Sequence, residues 1–341
     1  MKKVLLVHDI VHEYRIPLFK ELTNHLNITV AYSKSNSAFS EVKAVKLRQL
    51  KFGPFIVFKG LLSIIKGFNI VIFPLDLHYP QFFLYSLLFK KKIIWFGHGV
   101  GKSKLAFYIR LPFVKLSKSI LLYYDKAKND LVNKGIQRDK IFVTHNSIYV
   151  FNSEYLKADR KNFIYIGRIQ DRKKILDACQ AINIMKELFI KNESRFIIVG
   201  NGDKTKIENY IQKNNLKDII RIENGTYDEN KIRDYFNGAI AYLSPGHIGL
   251  GILHSFAYGV PIITSRGSVH GPEFENAREF ENSILYDGTI GDLANCLKLL
   301  ISNKELSHYL GENAFDLYSN HRKPSNIINA FVKAVRYETN G

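Results

Sequence analysis

Short runs of β-branched and aromatic residues alternate with helix-patterned segments along nearly the whole chain. Parallel strands need long crossovers, usually helices, so this rhythm is typical of parallel sheets covered by helices. We therefore predict an α/β fold with two successive series of strands. The first series is predicted at residues 3–7, 28–32, 70–73, 92–96, 120–123 and 141–144, and the second at 163–166, 196–199, 219–222, 239–243, 261–264 and 283–286.

The length of the chain fits two domains. Its 341 residues suffice for two domains of ~150 residues each. Residues 146–161 lack a clear period and lie between the two series of strands, which predicts a linker there. We predict a first domain over residues 1–150 and a second over residues 160–320. Helical patterns occur at 16–25, 290–301, 305–319 and 324–337.

The chain is strongly basic. Lysine and arginine outnumber aspartate and glutamate by 49 to 31, a net charge of +18. Such an excess attracts nucleic acid, anionic lipid or a phosphorylated substrate, and charge alone does not choose among them. The two cysteines, Cys179 and Cys296, have no metal-binding or redox spacing. They are predicted to be reduced core thiols, which fits the cytoplasm.

The first strand of the second series leads into a basic turn, Gly-Arg-Ile-Gln-Asp-Arg-Lys at 167–173. In open α/β sheets, ligands bind beyond the carboxyl ends of the strands. Gly167 lets the backbone approach a ligand, while Arg168 and Lys173 supply two cations that suit a diphosphate. A solvated basic turn without a ligand is the alternative.

The next strand ends in Val-Gly-Asn-Gly at 199–202. Gly200 and Gly202 would allow a nucleotide to approach the backbone closely. A lone Gly-x-Gly is a weak signal, and a tight turn explains it equally well.

The most informative segment is 244–261, which follows the strand predicted at 239–243. It predicts a glycine-rich turn, containing His247, and then a short apolar helix that ends at Gly259. Free amides at 249–251, with the helix dipole behind them, would form an anion site.

In this order, the three segments resemble the nucleotide-binding domain of the retaining GT-B glycosyltransferases of family 4. The resemblance covers the second half of the chain and extends weakly to residues 12–19, His-Glu-Tyr-Arg-Ile-Pro-Leu-Phe, which resemble an acceptor-side loop and helix of bacterial members. It implies the GT-B fold, an α/β architecture in which two Rossmann-like domains face across a cleft. It also implies that the closing helix, at about 323–341, packs back on the first domain.

The resemblance assigns roles to residues of the second domain. Arg168 and Lys173 would bind the donor diphosphate and take part in catalysis, and Gly249, Leu250 and Gly251 would cradle it. The donor would be a nucleotide-diphosphate sugar, with UDP or GDP as the expected nucleotide. The other donor-binding candidates are Gly167, Gly200, Gly202, Gly246, His247, His254 and Glu273.

The sequence departs from the family pattern at two positions. Members usually carry glutamates at the places taken here by Gly246 and His254. His254 can still hydrogen-bond the ribose hydroxyls, whereas Gly246 offers no side chain to the donor sugar. Backbone amides, or Glu273 in Gly-Pro-Glu at 271–273, would then take over that contact.

Candidate residues of the first domain follow two predicted strands. His98 stands between glycines, and similar enzymes carry a histidine near this place that bonds to the transferred sugar. We therefore expect a catalytic contact from His98 rather than an incidental loop histidine. His8 and Asp9 would touch the acceptor, although Asp9 also fits a capping role. Tyr14 and Arg15, in the acceptor-side loop, complete the predicted acceptor site.

The resemblance implies retention of configuration at the anomeric carbon. The sequence offers no well-placed carboxylate as a covalent nucleophile, so we expect a front-face reaction in which the leaving diphosphate takes the proton of the acceptor hydroxyl. Arg168, Lys173 and the helix amides would stabilise that diphosphate. No Asp-x-Asp stands where a metal-diphosphate site would need it, so neither a metal nor another cofactor is expected.

Two segments of the first domain, 79–92 and 102–118, combine basic and apolar residues. One interpretation is that these segments lie on an anionic membrane surface. The other is that they are ordinary amphipathic helices with their apolar side in the core, and the sequence does not choose between the two. By resemblance, the acceptor is a saccharide or lipid-linked saccharide. The setting would be cell-surface polysaccharide or lipopolysaccharide synthesis, in the cytoplasm or on the inner face of the cell membrane.

Three other functions stay open. A sugar-nucleotide epimerase of GT-B shape would use the same donor pocket. A basic nucleic-acid-binding protein would explain the charge, but the sequence holds no recognisable nucleic-acid motif, so nucleic acid is not an expected partner. A degenerate transferase that binds its donor without turnover is kept open by the two missing glutamates.

Overall fold

The computed structural model describes residues 1–12, 15–35, 41–99, 103–146, 148, 150, 153–156 and 158–338. The chain divides into two compact units. The first unit is made of Met1–Tyr149 together with Lys323–Gly341, and the second of Val150–Arg322. The chain therefore leaves the first unit once, builds the whole second unit and then returns to the first.

In chain order, the strands are β1 (Lys3–Val11), β2 (Asn27–Ser35), β3 (Ala44–Lys46), β4 (Arg48–Phe52), β5 (Phe55–Lys59), β6 (Ile70–Pro74), β7 (Ile93–Gly97), β8 (Ser119–Leu122), β9 (Ile141–Val143), β10 (Asn162–Ile166), β11 (Phe196–Val199), β12 (Ile220–Glu223), β13 (Ala239–Ser244), β14 (Ile262–Ser265) and β15 (Ser283–Tyr286).

The α-helices follow the same order. They are α1 (Ile16–His25), α2 (Leu61–Lys66), α3 (Pro80–Leu88), α4 (Lys104–Leu116), α5 (Asp125–Val132), α6 (Ile175–Ile184), α7 (Lys186–Lys191), α8 (Thr205–Lys213), α9 (Glu229–Phe236), α10 (Gly251–Ala257), α11 (Ile290–Ser302), α12 (Lys304–Leu317) and α13 (Pro324–Arg336). No helix of the described chain is both long and apolar enough to cross a bilayer.

The first unit is built on a parallel sheet with the strand order β3-β2-β1-β6-β7-β8-β9. Successive side chains of a strand point to opposite faces, so the apolar run of β1 serves both. Leu5 and Val7 pack into the core that α2, α3, α4 and α5 cover. Val4 and Leu6 pack into the core that α1 and α13 cover. The last helix of the chain is thus part of the first unit.

The second unit has its own parallel sheet, in the order β12-β11-β10-β13-β14-β15. The strand β13 is buried along its whole length and contacts α6, α11 and α12. The predicted core thiols are confirmed, since Cys179 and Cys296 are both free and buried.

The strands predicted from the sequence are confirmed with small shifts at their ends, apart from the first. The prediction that β1 ends at Val7 is wrong, because residues 8–11 continue to pair with β2, for example Ile10 with Lys34. His8 and Asp9 therefore lie within a strand. The sequence analysis also missed β3 and the β4–β5 hairpin. The strand β4 is mostly exposed and polar, whereas β5 is apolar and packs Phe58 into the core of the first unit.

Candidate functional site

Two neighbouring strands of the second unit set up the site. The strand β10 lies between β11 and β13, where the strand order reverses. The loops that follow two such strands diverge, which opens a crevice beyond their carboxyl ends where ligands bind in open α/β sheets. Here these loops carry the glycine-rich and basic residues predicted from the sequence.

Lys173 ties the two loops together. It ends a 3₁₀ turn at Asp171–Lys173, and its Nζ donates a hydrogen bond to the carbonyl oxygen of His247 at 2.7 Å. The backbones also pair: the Gly246 amide donates to the Lys173 carbonyl at 3.0 Å, and the His247 amide donates to the Arg172 carbonyl at 2.8 Å. The ammonium is therefore held against the glycine-rich loop.

The surroundings of Lys173 favour its neutral form. Burial, followed by the charge of Arg172, lowers the pKa of Lys173 to about 8, while the Glu273 carboxylate acts in the opposite direction. Glu273 itself is buried in a 3₁₀ turn at Pro272–Asn276. Burial lowers the pKa of His247 as well, and Lys173 adds to that effect. A bound anion would favour the charged ammonium, so this place is suited to negative charge.

The backbone at the start of α10 has open donors. The amides of Gly249, Leu250 and Gly251 have no hydrogen-bond acceptor within the described residues, and these residues are partly exposed. A Cβ at Gly249 would lie 3.6 Å from the Lys173 Nζ, so the ammonium lies beside these amides. Adjacent backbone donors next to a cation form an arrangement that binds anions.

Gly246 is required by the contact between the two loops. A Cβ at this position would collide with the carbonyl oxygen of Arg172 and lie 2.7 Å from the carbonyl carbon of Lys173. Gly251 is also constrained, since a Cβ there would collide with the Tyr242 hydroxyl. A glutamate at position 246 would not fit this backbone.

Gly200 and Gly202 shape the loop that carries Arg168. A Cβ at Gly200 would collide with the carbonyl oxygen of Gly167, and one at Gly202 with that of Ile169. The amide of Gly167 also donates to the Val199 carbonyl at 2.9 Å. Arg168 is exposed on this loop. The two glycines thus hold two backbone segments in contact.

His254 is buried on α10 and is engaged by another helix. Its Nε2 lies 3.2 Å from Oε2 of Glu229, and the Tyr258 hydroxyl donates to the same oxygen at 3.4 Å. The imidazole also stacks with the ring of Tyr258, with centroids 5.9 Å apart. Glu229 therefore places a carboxylate next to the His254 imidazole. The sequence analysis missed Glu229, and no local pattern marks it.

His270 is a second residue that the sequence analysis missed. Its Nδ1 accepts a hydrogen bond from the Ile248 amide at 3.1 Å, and its Nε2 lies 2.6 Å from the Ser265 carbonyl oxygen, to which it donates. Only the neutral imidazole with its proton on Nε2 makes both bonds. Burial lowers the pKa of His270, which favours this neutral form. His270 thereby holds the glycine-rich loop to the loop after β14.

In the first unit, β1 is the strand at which the order reverses, between β2 and β6. His8 packs against Phe19, with ring centroids 5.5 Å apart. Burial, followed by the charges of Arg15 and His12, lowers the pKa of His8 to about 3. His8 is therefore a neutral imidazole near pH 7.

The Asp9 carboxylate is already engaged within the first unit. It accepts hydrogen bonds from the hydroxyl groups of Ser33 and Tyr79, the latter at 3.2 Å. The Tyr79 hydroxyl has a raised pKa because it is buried and faces Asp9. Asp9 thus links β2 to the segment before α3.

Tyr123, directly after β8, brings two predicted residues together. Arg15 donates to the Tyr123 hydroxyl at 3.3 Å, and the imidazole of His98 lies 4.8 Å from the Tyr123 ring. The backbone oxygen of His98 accepts a hydrogen bond from the Tyr124 hydroxyl at 2.9 Å. The predicted acceptor residue Tyr14 lies outside the described residues.

No group of three or more His, Cys, Asp or Glu side chains in the described part of the chain is arranged to hold a metal ion.

Residues 150–316 match the family model described as Glycosyl transferases group 1. Among curated proteins, none matches the chain.

Solved structures resemble almost the whole chain. Anabaena Alr3699/HepE, in complex with UDP and glucose, aligns with a TM-score of 0.70 at 11% identity over 98% of this chain and 99% of that one. A glycosyltransferase from Rickettsia africae ESF-5 aligns at 0.73 and 15% identity, over 98% of both chains. WaaG, a glycosyltransferase involved in lipopolysaccharide biosynthesis, aligns at 0.65 and 11% identity over 98% of this chain and 100% of that one. The predicted GT-B fold with two Rossmann-like units is thereby confirmed.

Proposed function

We propose that this chain transfers a sugar from a nucleotide-diphosphate sugar to a saccharide or lipid-linked saccharide, because residues 150–316 match the family model described as Glycosyl transferases group 1. The Anabaena protein of similar fold is solved with UDP and with UDP-glucose. That likeness supports a uridine nucleotide as the donor.

The observation that carries the proposal is the pairing of one ammonium with open backbone donors. Lys173 lies beside Gly249, at the point where the loops after two strands of the second sheet diverge, and the amides of residues 249–251 have no acceptor among the described residues. A diphosphate presents several oxygens that need donors, and this arrangement supplies them without a further side chain. Arg168, exposed on the neighbouring loop, would add a second cation.

Contacts to the nucleoside and the donor sugar follow from the residues around this anion site. Gly246 provides none, so the sugar would be held by backbone amides and by Glu273, whose charge acts on Lys173. The ribose would meet the carboxylate of Glu229 and the imidazole of His254.

We further propose that the reaction retains the anomeric configuration through a front-face step. The bond between the anomeric carbon and the diphosphate oxygen breaks, the bond to the acceptor oxygen forms, and the acceptor proton passes to the leaving diphosphate. Lys173 and Arg168 stabilise the charge that develops on this leaving group, so catalysis rests on positioning and electrostatics.

The acceptor would bind to the first unit. Arg15 and His98 meet at Tyr123, and His8 and Asp9 lie on β1 at the strand reversal of this sheet. Arg15 and His98 each offer donors to sugar hydroxyls, with His98 nearest the transferred sugar in this proposal. The proposed setting is the synthesis of a cell-surface polysaccharide on the cytoplasmic side of the membrane.

The test is a thermal-shift panel with UDP, GDP, ADP, CMP and their common sugars. A ligand that binds only the folded chain raises the melting temperature, by an amount that grows with affinity. We expect stabilisation by one nucleotide family, lost in the Arg168→Ala, Lys173→Ala double variant. The matched control is Arg195→Ala with Lys191→Ala, which removes two exposed cations elsewhere in the second unit.

The stabilising sugar nucleotide is then incubated with and without a saccharide acceptor. A new glycosidic product that requires the acceptor supports the transferase. Isomerisation of the donor sugar without an acceptor would make the chain an epimerase instead. No stabilisation by any nucleotide would refute the donor site.

A further inference from the structure

The outward faces of α3 and α4, in the first unit, are apolar. The exposed apolar residues of α3 stand at positions i, i+3 and i+4, and those of α4, with Pro112 included, at i, i+3, i+4, i+7 and i+11, so each set lies along one face of its helix. Clustered apolar side chains in contact with water mark an interaction surface, whereas scattered ones do not. The exposed fractions are 57%, 45% and 62% for Leu84, Leu87 and Leu88, and 71%, 54%, 47% and 41% for Leu105, Tyr108, Ile109 and Leu116.

The two faces lie on neighbouring helices, and we call them together the α3–α4 face and define it by these seven residues. The helices contact each other, and the ring of Phe83 on α3 meets that of Phe113 on α4 edge-on, with centroids 5.0 Å apart. The inward faces are already packed, since Phe82, Phe83, Phe107 and Val114 lie in the core of the first unit. The outward leucines are therefore additional to the residues that hold the helices in place.

The α3–α4 face has a basic rim. Residues 77–124 contain eight Lys and Arg and no Asp or Glu. Lys104 and Lys115 are exposed on α4, Lys90 follows α3, and the Nζ of Lys134 lies 5.5 Å from the centroid of the Tyr108 ring. An apolar centre with a rim of one charge sign complements anionic headgroups above acyl chains. The same rim opposes pairing with a second copy of this face, because like charges would meet.

We propose that the α3–α4 face docks the first unit onto an anionic phospholipid bilayer. The leucines enter the boundary between headgroups and acyl chains, and the lysines contact the lipid phosphates. This inference goes beyond the proposed function, because no step of the sugar transfer requires it.

The first test is flotation with vesicles of phosphatidylcholine alone or mixed with phosphatidylglycerol. We expect the wild-type chain to float only with the mixed vesicles and to be released by salt. The Leu88→Glu, Leu105→Glu variant should stay at the bottom of the gradient. The control, Ile184→Glu with Ile190→Glu, alters two residues of similar exposure in the second unit, 56% and 57%, and should float like the wild type.

The basic rim is tested separately. Each basic residue near an anionic surface changes partitioning by roughly fivefold, so Lys104→Gln with Lys115→Gln should lower it by roughly 25-fold. The melting temperature of each variant shows whether it is folded, and the rise in melting temperature with the stabilising nucleotide shows whether its donor site still binds. Failure of docking is thereby distinguished from failure of the proposed function.

A fluorescent probe reports where the chain meets the lipid. A cysteine introduced as Leu88→Cys can be labelled selectively, because Cys179 and Cys296 are buried. An environment-sensitive dye at 88 should shift to the blue on anionic vesicles, while the same dye on Ile184→Cys should not. Flotation that survives the double glutamate variant would overturn the proposal. A dimer that forms through this face, with no flotation, would overturn it as well.

Discussion

The ammonium of Lys173 donates a hydrogen bond to the backbone carbonyl oxygen of His247, at 2.7 Å. This bond joins the loop after β10 to the loop after β13, and it holds a cation near amides that have no acceptor in the described part of the chain. A ligand anion would compete with a carbonyl for this ammonium rather than with another charged side chain. The site is therefore assembled before a ligand arrives, which lowers the cost of binding.

The charge state of Lys173 predicts how nucleotide affinity depends on pH. Its pKa is lowered to about 8, so the ammonium is cationic below that value and loses its proton as the pH rises through it. We expect affinity for the nucleoside diphosphate to fall above pH 8, approaching roughly tenfold per pH unit if only the ammonium binds. Calorimetric titrations across this range test the expectation.

The control is Lys173→Arg, whose guanidinium stays charged throughout that range. It should bind with little pH dependence even if its affinity differs. Glu273→Gln should move the wild-type profile to lower pH, because the Glu273 carboxylate raises the pKa of Lys173. A pH dependence shared by wild type and Lys173→Arg would contradict the assignment.

The backbone contact at Gly246 predicts different effects for two neighbouring glycines. A Cβ at 246 would meet backbone atoms that cannot move alone, whereas one at Gly249 would meet only the end of Lys173, at 3.6 Å. We expect Gly246→Ala to destabilise the chain by about 1 to 3 kcal/mol, and Gly249→Ala to change stability little. Urea unfolding of both variants tests this, and equal midpoints would refute it.

The contact between His254 and Glu229 predicts a charge conflict. In His254→Glu, a second carboxylate would lie near the first, and two close carboxylates do not ionise together readily. We expect a lower melting temperature near pH 8, with partial recovery in mild acid. Adding Glu229→Gln should restore stability, because the repulsion is gone while the loss of the imidazole is common to both variants. Absence of rescue would show that the two positions are not coupled.

His270 predicts a sensitivity to acid. Its folded-state pKa is lowered by burial, so the stability that the neutral ring contributes is present above the unfolded pKa of about 6.5 and is lost as the pH falls below it. His270→Phe keeps a ring but leaves the Ile248 amide and the Ser265 carbonyl without a partner. We expect this loss to lower the free energy of unfolding by about 1 to 3 kcal/mol. We expect thermal melts of this variant to show lower stability at pH 7 and a shallower decline toward acid than the wild type.

The positions of most strands along the chain were predictable because buried parallel strands appear as continuous apolar runs. The strand β13, buried at all of its positions, is an example. The strand β4 was not predictable in this way, because it is mostly exposed and polar. The strand β5 does carry an apolar run with Phe58 in the core, and this signal was missed. The end of β1 was misjudged because polar residues within it continue the pairing with β2.

The glycine-rich and basic turns could be recognised from the sequence because their residue types and spacing form local patterns. Contact partners that come from distant segments of the chain could not be predicted from local patterns. Glu229 reaches His254 from another helix, and His270 reaches Ile248 from the loop after a different strand. Neither partner stands in a local pattern, because only the packing of the sheet and its helices brings these positions together.

The return of the chain to the first unit reverses the usual order of folding on the ribosome. Domains generally fold as units, the amino-terminal one first. Here the side of the first sheet that carries Val4 and Leu6 is covered partly by α13, which is translated after the whole second unit. The second unit can complete its core while the first unit still lacks α13 and keeps part of its apolar surface uncovered. During synthesis, the earliest-made strands therefore belong to the last-finished unit, and part of their apolar side stays uncovered until α13 has been translated.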